Sequence, residues 1–259
     1  MKPVYSISGA GVVKQGRALL SEIQADFFPG ELICILGPNG AGKSTLLRLL
    51  SGLEAPSSGS VQIGGRPASS ISRKEMARQV AMVEASIDLP FGYSVEQVVM
   101  MGRAPHMDRW FESTEDWAQV ESALVTMDCQ GLRTRDFRTL SSGEKQRVLV
   151  ASALAQQPDV LLLDEPAAFL DVQHQLELFV ALRRLASSGY LIIAVTHDWN
   201  LAASWASRIV LLKEGRIAAS GHAADLSEQS LLRDVFGVDL EILEVTGRPP
   251  IVLQPGASG

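Results

Sequence analysis

Residues Gly37, Pro38, Asn39, Gly40, Ala41, Gly42, Lys43, Ser44 and Thr45 form a run of Gly, four residues, Gly, Lys and then Ser-Thr, the spacing of a phosphate-binding loop. Glycines at 37, 40 and 42 admit backbone conformations closed to residues with a Cβ. Successive N–H groups can therefore point at phosphate oxygens, and a following helix adds the positive end of its dipole. Lys43 then reaches the β and γ phosphates, and the Ser44 hydroxyl ligates Mg²⁺. Further along, Asp164 and Glu165 close the apolar run Val160 to Leu163, and Thr196-His197-Asp198 closes the run Tyr190 to Val195. In parallel α/β sheets ligands sit at that C-terminal edge. Leu140-Ser-Ser-Gly-Glu144 introduces a helix through Ala155. With Ser141 or Ser142 as its cap, its N-terminus makes a second anion-friendly place.

These groups need elements to carry them. Glu31 to Leu36 is a short apolar run that reads as a buried parallel strand. Ser44 to Leu53 has leucines at 46, 47, 49, 50 and 53, the spacing of a helix packed on a sheet. Val4 to Val13 and Ala25 to Phe28 read as short antiparallel strands, and Gly59 to Ile63 joins them in a small β layer. Ser72 to Arg78 reads as a short polar helix and Val80 to Val83 as a strand. Glu84 to Gly92 lacks periodicity and reads as a loop. Ser94-Val-Glu-Gln97 is a capping box that opens a helix to about Met101. Ser113 opens another, with Trp117, Val120, Leu124 and Met127 on one face. The stretch from about 86 to 138 therefore reads as helical, inserted between two α/β stretches. A helix follows from Asp171 to Ala186, and Ile209 to Leu212 with Arg216 to Ala219 reads as a hairpin. Residues 247–259, rich in Pro and Gly, read as an irregular tail.

Composition limits the function classes. With 259 residues, of which 46% are hydrophobic, the chain can build one large core with an inserted subdomain. The net charge of −6 and the lack of any dense Lys/Arg run argue against a nucleic-acid binder. No apolar stretch approaches the length of a membrane span and no signal-peptide pattern is present, so a membrane role must come through a partner. Cys34 and Cys129 lack Cys-x-x-Cys spacing and read as buried or half-buried thiols of a reducing compartment. Four histidines are too dispersed for a metal cluster.

Taken together and in order, the phosphate loop, Leu140-Ser-Ser-Gly-Glu-Lys-Gln-Arg147, Leu161-Leu-Leu-Asp-Glu-Pro166, Asp171 and His197 resemble the nucleotide-binding subunit of an ABC transporter, over essentially the whole chain. Val98 to His106 (Val-Val-Met-Met-Gly-Arg-Ala-Pro-His) resembles, more narrowly, the ATPases of iron-siderophore, haem and vitamin B12 importers. The resemblance implies one α/β domain over 1–259 with the P-loop NTPase fold, an antiparallel β layer and an inserted α-helical subdomain. Its cofactors are ATP and Mg²⁺. Asp164 matches the carboxylate associated with Mg²⁺ alongside Ser44, Glu165 the general base, and His197 the residue that contacts the γ-phosphate and orients Glu165. Ser141, Ser142, Gly143 and Glu144 hold the signature positions that touch ATP bound by a second copy, so a two-fold dimer would close two sites at once. Asp171, the D-loop position, is either a dimer contact as well or only the cap of its helix.

The implied role is the ATPase of an importer, at the cytoplasmic face of the inner membrane through a transmembrane permease and indirectly served by a substrate-binding protein. An iron chelate, siderophore or haem, is the expected cargo. Vitamin B12, or a soluble non-transport ABC ATPase such as an iron–sulfur assembly component, is the alternative. Four positions depart from the family pattern. Ala85 stands where a Q-loop glutamine is expected, with Glu84 beside it as a candidate replacement. The aromatic that stacks on adenine falls near Val12 or Val13, and Tyr5 is out of register. Ser142 replaces the first signature glycine. Ala167-Ala-Phe-Leu-Asp171 replaces the usual Ser-Ala-Leu-Asp ending.

Overall fold

The computed structural model describes residues 1–84, 89, 91–107, 111–243 and 246–253. Its centre is a six-stranded sheet in the order β10-β9-β3-β8-β7-β6, built from β3 (Leu32–Leu36), β6 (Val80–Val83), β7 (Val160–Asp164), β8 (Leu191–Val195), β9 (Arg208–Lys213) and β10 (Arg216–Gly221). All neighbours run parallel except the β9–β10 hairpin. β3 and β8 are buried along their whole length, as strands covered on both faces must be.

The period of two divides the core. Ile33, Ile35, Leu162, Ile193 and Val210 face α1 (Lys43–Leu50) and an antiparallel layer. Cys34, Leu36, Leu161, Leu163 and Ile192 face the other helices. Burial raises the Cys34 thiol pKa to about 12, so it is an inert core group. The antiparallel layer has the order β2-β1-β4-β5, from β1 (Tyr5–Lys14), β2 (Arg17–Phe27), β4 (Ser58–Ile63) and β5 (Arg66–Pro67). β2 is much longer than the expected Ala25 to Phe28, because bulges let its polar residues alternate with Leu20 and Ile23. α1 stops at Leu50. Gly52 in left-handed backbone ends it and leaves Leu53 exposed, outside the helix its spacing suggested.

α2 (Arg73–Gln79) is capped by Ser72. From β6 to α5 (Ser142–Ala155) the described residues contain helices and one isolated bridge, Ser94 to Asp136. α3 (Val95–Met101) and α4 (Thr114–Thr126) each open on a full capping box, at Ser94/Gln97 and Ser113/Asp116, and both pack on α5. Trp117 is only partly covered, whereas Val120, Leu124 and Met127 are buried. Val98 to His106 fastens this region to the end of α5. A Cβ on Gly102 would lie 1.9 Å from Ser152 O. Arg103 donates to Asp116 Oδ1 (2.9 Å), Ala155 O (2.7 Å) and Gln157 Oε1 (2.9 Å), and His106 Nε2 donates to Gln156 O (2.8 Å).

α6 (Val172–Ser187) and α7 (Trp199–Trp205) lead into β8 and β9, and α8 (Ala223–Leu226) and α9 (Gln229–Phe236) follow β10. The tail is not irregular throughout. β12 (Ile251–Leu253) pairs antiparallel with β11 (Glu241–Leu243), and the Asn200 side chain on α7 both donates to Val252 O and accepts from Val252 N (3.0 and 2.8 Å). Turn residues flanking two short apolar runs masked this hairpin in the sequence.

Candidate active site

β3 delivers the phosphate loop to the sheet's C-terminal edge, where β7 and β8 end in Asp164 and Val195. Two of its glycines answer to close approaches. At Gly37 (φ 155°) an added Cβ would fall 2.0 Å from Leu212 O, and at Gly42 (φ 103°) 2.8 Å from Leu19 O. Gly42 is also the N-cap of α1 and offers no side-chain acceptor. The first N–H groups of the helix are thus left for an anion. Ala41 bonds Pro38 O and accepts from Gly215 N (3.2 and 2.9 Å), which closes the turn on the β9–β10 corner.

Lys43 is buried and curls back to donate to Gly37 O (2.7 Å) and Pro38 O (3.1 Å). Desolvation lowers its pKa, opposed by the carboxylates of Glu165 and Asp164. Gly40, Lys43, Ser44 and Thr45 line a cavity of about 350 Å³ together with Asp164 and Glu165. Glu165 has a left-handed backbone (φ 49°), a costly conformation for a residue with a Cβ. Its N–H donates to Val195 O (3.1 Å), which ties the end of β7 to β8. His197 Nδ1 donates to Glu165 Oε2 (2.8 Å). Thr196 Oγ1 accepts from Asp198 N (3.2 Å), and Asp198 caps α7. The site therefore joins an anion cradle, a cation, two carboxylates and a histidine that orients one of them. A water held by Glu165 would face a phosphate held by the loop.

The N-terminus of α5 is built differently. Ser141, not Ser142, is the cap: its Oγ accepts from Glu144 N (3.2 Å), and Glu144 Oε2 accepts from Ser141 N (2.8 Å). That second bond holds the Glu144 carboxyl below its usual range, with Arg135 adding to it. Ser141 and Ser142 are exposed, Gly143 is buried, and none of residues 141–144 lines the phosphate-loop cavity. Asp171 is the cap of α6, accepting from His174 N (2.9 Å), and also accepts from His174 Nδ1 (2.7 Å). The His174 ring lies directly on the start of α5, since a Cβ on Gly143 would meet its Cδ2 at 2.3 Å. The sequence signal for this contact is the place of His174 three residues after a capping aspartate. Ala85 lies outside the described residues, and Glu84 is exposed at the end of β6.

The model of the ABC transporter family matches residues 20–168. This chain belongs to that family. As an ABC ATPase it binds and hydrolyses ATP, and its similarity extends well beyond the matched segment. A hemin import ATP-binding protein, HmuV, of Escherichia coli O157:H7 is 40% identical over 89% of this chain and 91% of its own length. That of Rhodopseudomonas palustris (strain HaA2) is 40% identical over 93% of each. A solved ABC transporter of metal-chelate type, in an inward-facing conformation, superposes with a TM-score of 0.85 at 26% identity, over 98% of this chain and 96% of that one. No helix among the described residues of this ABC ATPase is long and apolar enough to cross a membrane.

Proposed function

We propose that this ABC ATPase powers the import of haem, or a closely related iron chelate, through a separate permease at the inner face of the cell membrane. Relatives named for hemin import, matching over 89–93% of this chain, support the cargo class. The observation that carries the mechanism is the His197–Glu165 bond at the mouth of the phosphate-loop cavity. Lys43 exchanges its loop carbonyls for the β and γ phosphate oxygens. Water held by Glu165 attacks the γ-phosphorus in line, the bond to the β–γ bridging oxygen breaks, and ADP leaves while Glu165 takes up the water proton. His197 keeps the Glu165 carboxylate aimed. Ser44 and Asp164 share the cavity and fit a Mg²⁺ carried in with the nucleotide, a cation that takes few protein ligands and draws the rest from phosphate and water. When bound, it neutralises charge on the phosphates.

The exposed Ser141 end of α5 stays out of its own chain's cavity, which suits a site completed by a second copy. A groove of about 390 Å³ beside Tyr93, Met100, Met101, Met107 and Trp117 suits a short permease helix, because methionine side chains adapt to an apolar partner. The inserted helices, about 86–138, would thus receive the permease. A substrate-binding protein would serve it from the other side.

The test is reconstitution in liposomes with the permease that co-purifies with this chain from its own cell. Haemin, presented with its binding protein, should raise ATP turnover and accumulate inside, and Glu165→Gln should abolish both. Uptake of another solute with no response to haemin would remove the cargo assignment. Equal turnover of wild type and Glu165→Gln would remove Glu165 as base.

A further inference from the structure

The nucleotide cavity has a half with no assigned role. Beyond the phosphate loop and the carboxylates it is walled by Arg17 and Leu19, and among the described residues none that lines it is aromatic. The positions where an adenine-stacking aromatic was expected carry valines. Val12 is buried, and Val13 bonds through its N–H to Ser57 Oγ (3.0 Å), just before β4.

The β1–β2 hairpin reaches the cavity for three local reasons. Gln15 and Gly16, both at positive φ (49° and 76°), make a two-residue turn that places Arg17 immediately after it. The register then slips, since Val12 faces Leu20 but Val13 faces Ala18, so Leu19 is the extra residue of a bulge. Such bulges re-aim side chains beside functional sites. Finally, Leu19 O is packed on Gly42 and on Gly215, where an added Cβ would lie 2.8 and 2.7 Å away. The hairpin is therefore seated on the phosphate loop itself. Arg17 is exposed, and its side chain makes no hydrogen bond or ion pair with a described residue.

We propose that Arg17 is the base platform of this ATPase: its planar guanidinium lies against the purine ring of the bound nucleotide, with Leu19 as the apolar floor. This rests on the ATP-binding reading above and adds the residue that grips the base. The triphosphate has its own cradle in the loop N–H groups, Lys43 and the start of α1. Among the lining residues, the Arg17 guanidinium is the flat cationic face left for a π system. Stacking does not read the edges of a base, so the site accepts GTP as readily as ATP.

The experiment is steady-state ATPase on the full chain, for wild type, Arg17→Ala, Arg17→Lys and Arg17→Trp, with thermal melting to check the fold of each. Arg17→Ala raises the KM for ATP and for GTP on the order of tenfold with kcat retained. Arg17→Trp recovers the wild-type KM and Arg17→Lys does not. Inhibition by inorganic tripolyphosphate, which lacks a base, is the same in wild type and Arg17→Ala. An unchanged KM in Arg17→Ala overturns the assignment. So does rescue by Lys but not Trp, or weaker tripolyphosphate inhibition, because either result puts Arg17 on the phosphates. A wild-type chain that hydrolyses no nucleotide would remove the ATPase reading and this assignment together.

Discussion

The phosphate loop and the start of α5 are both helix N-termini offered to an anion, yet they are held in place by opposite means. The loop is pressed onto the core by backbone. Gly37 lies over Leu212 O, Gly42 over Leu19 O, and buried Lys43 bonds the loop's own carbonyls. The start of α5 is held by exposed or half-exposed side chains: the Ser141/Glu144 box, Arg135 on Glu144 (3.0 Å), and His174 braced by Asp171. The first site is prebuilt and leaves no room for a Cβ at Gly37 or Gly42. The second is mounted on a helix whose far end is locked by Arg103 and whose near end rests on one imidazole. Such a design suits a surface that must swing against a partner, whereas the loop must not move at all.

Substitutions can break that contrast. Gly37→Ala is expected to have the largest effect. The clash is with backbone in an inner strand, so about 3 kcal/mol or more of stability should be lost; denaturant unfolding and nucleotide titration read it. Glu165→Gln should leave ATP binding intact and lower turnover by about 10²- to 10⁴-fold, read as phosphate release.

Gly143→Ala should reduce turnover while leaving the KM for ATP near wild type. Adding His174→Ala should restore much of it, because the two nearest atoms an added methyl would meet, at 2.3 and 2.5 Å, belong to the His174 ring; coupling of roughly 1–2 kcal/mol is expected in the double-mutant cycle. No restoration would show that Gly143 is constrained by something other than His174. Ser141→Ala should cost about 1 kcal/mol of stability through loss of the cap, measured by urea unfolding.

The far-end lock has a pH signature. Hydrogen bonds from the Ser113 hydroxyl and N–H, with help from Arg103, hold the Asp116 carboxyl at about 2. A depressed carboxyl contributes its full stability above the ordinary carboxylate value and loses it as pH falls toward the folded one. Acid unfolding should therefore show a limb between pH 3.8 and about 2 that Asp116→Asn removes.

The chemistry-bearing groups were legible because each is a local code. The spacing of Gly37 to Thr45, carboxylates following an apolar run, and Ser-x-x-Glu before a helix need no distant contact to be read. The same holds for the strands of the central sheet, whose continuous apolar runs leave no other place to bury them. Less was legible where the answer lay across the chain. The length of β2 depended on bulges, the β11–β12 hairpin on Asn200 of α7, and the part of Val98 to His106 on the end of α5.

By itself, then, the sequence determined which residues have the type and spacing to cradle and cleave a phosphate and which strands must carry them, since these follow from side-chain type and near-neighbour spacing. Only the tertiary structure decided that His174 sits on Gly143, that Arg17 faces the nucleotide cavity, and that Asp171, besides capping α6, braces the His174 ring. Those outcomes turn on approaches of a few ångströms between segments far apart in the chain or on side-chain rotamers within a turn. Neither is encoded in any short window of residues.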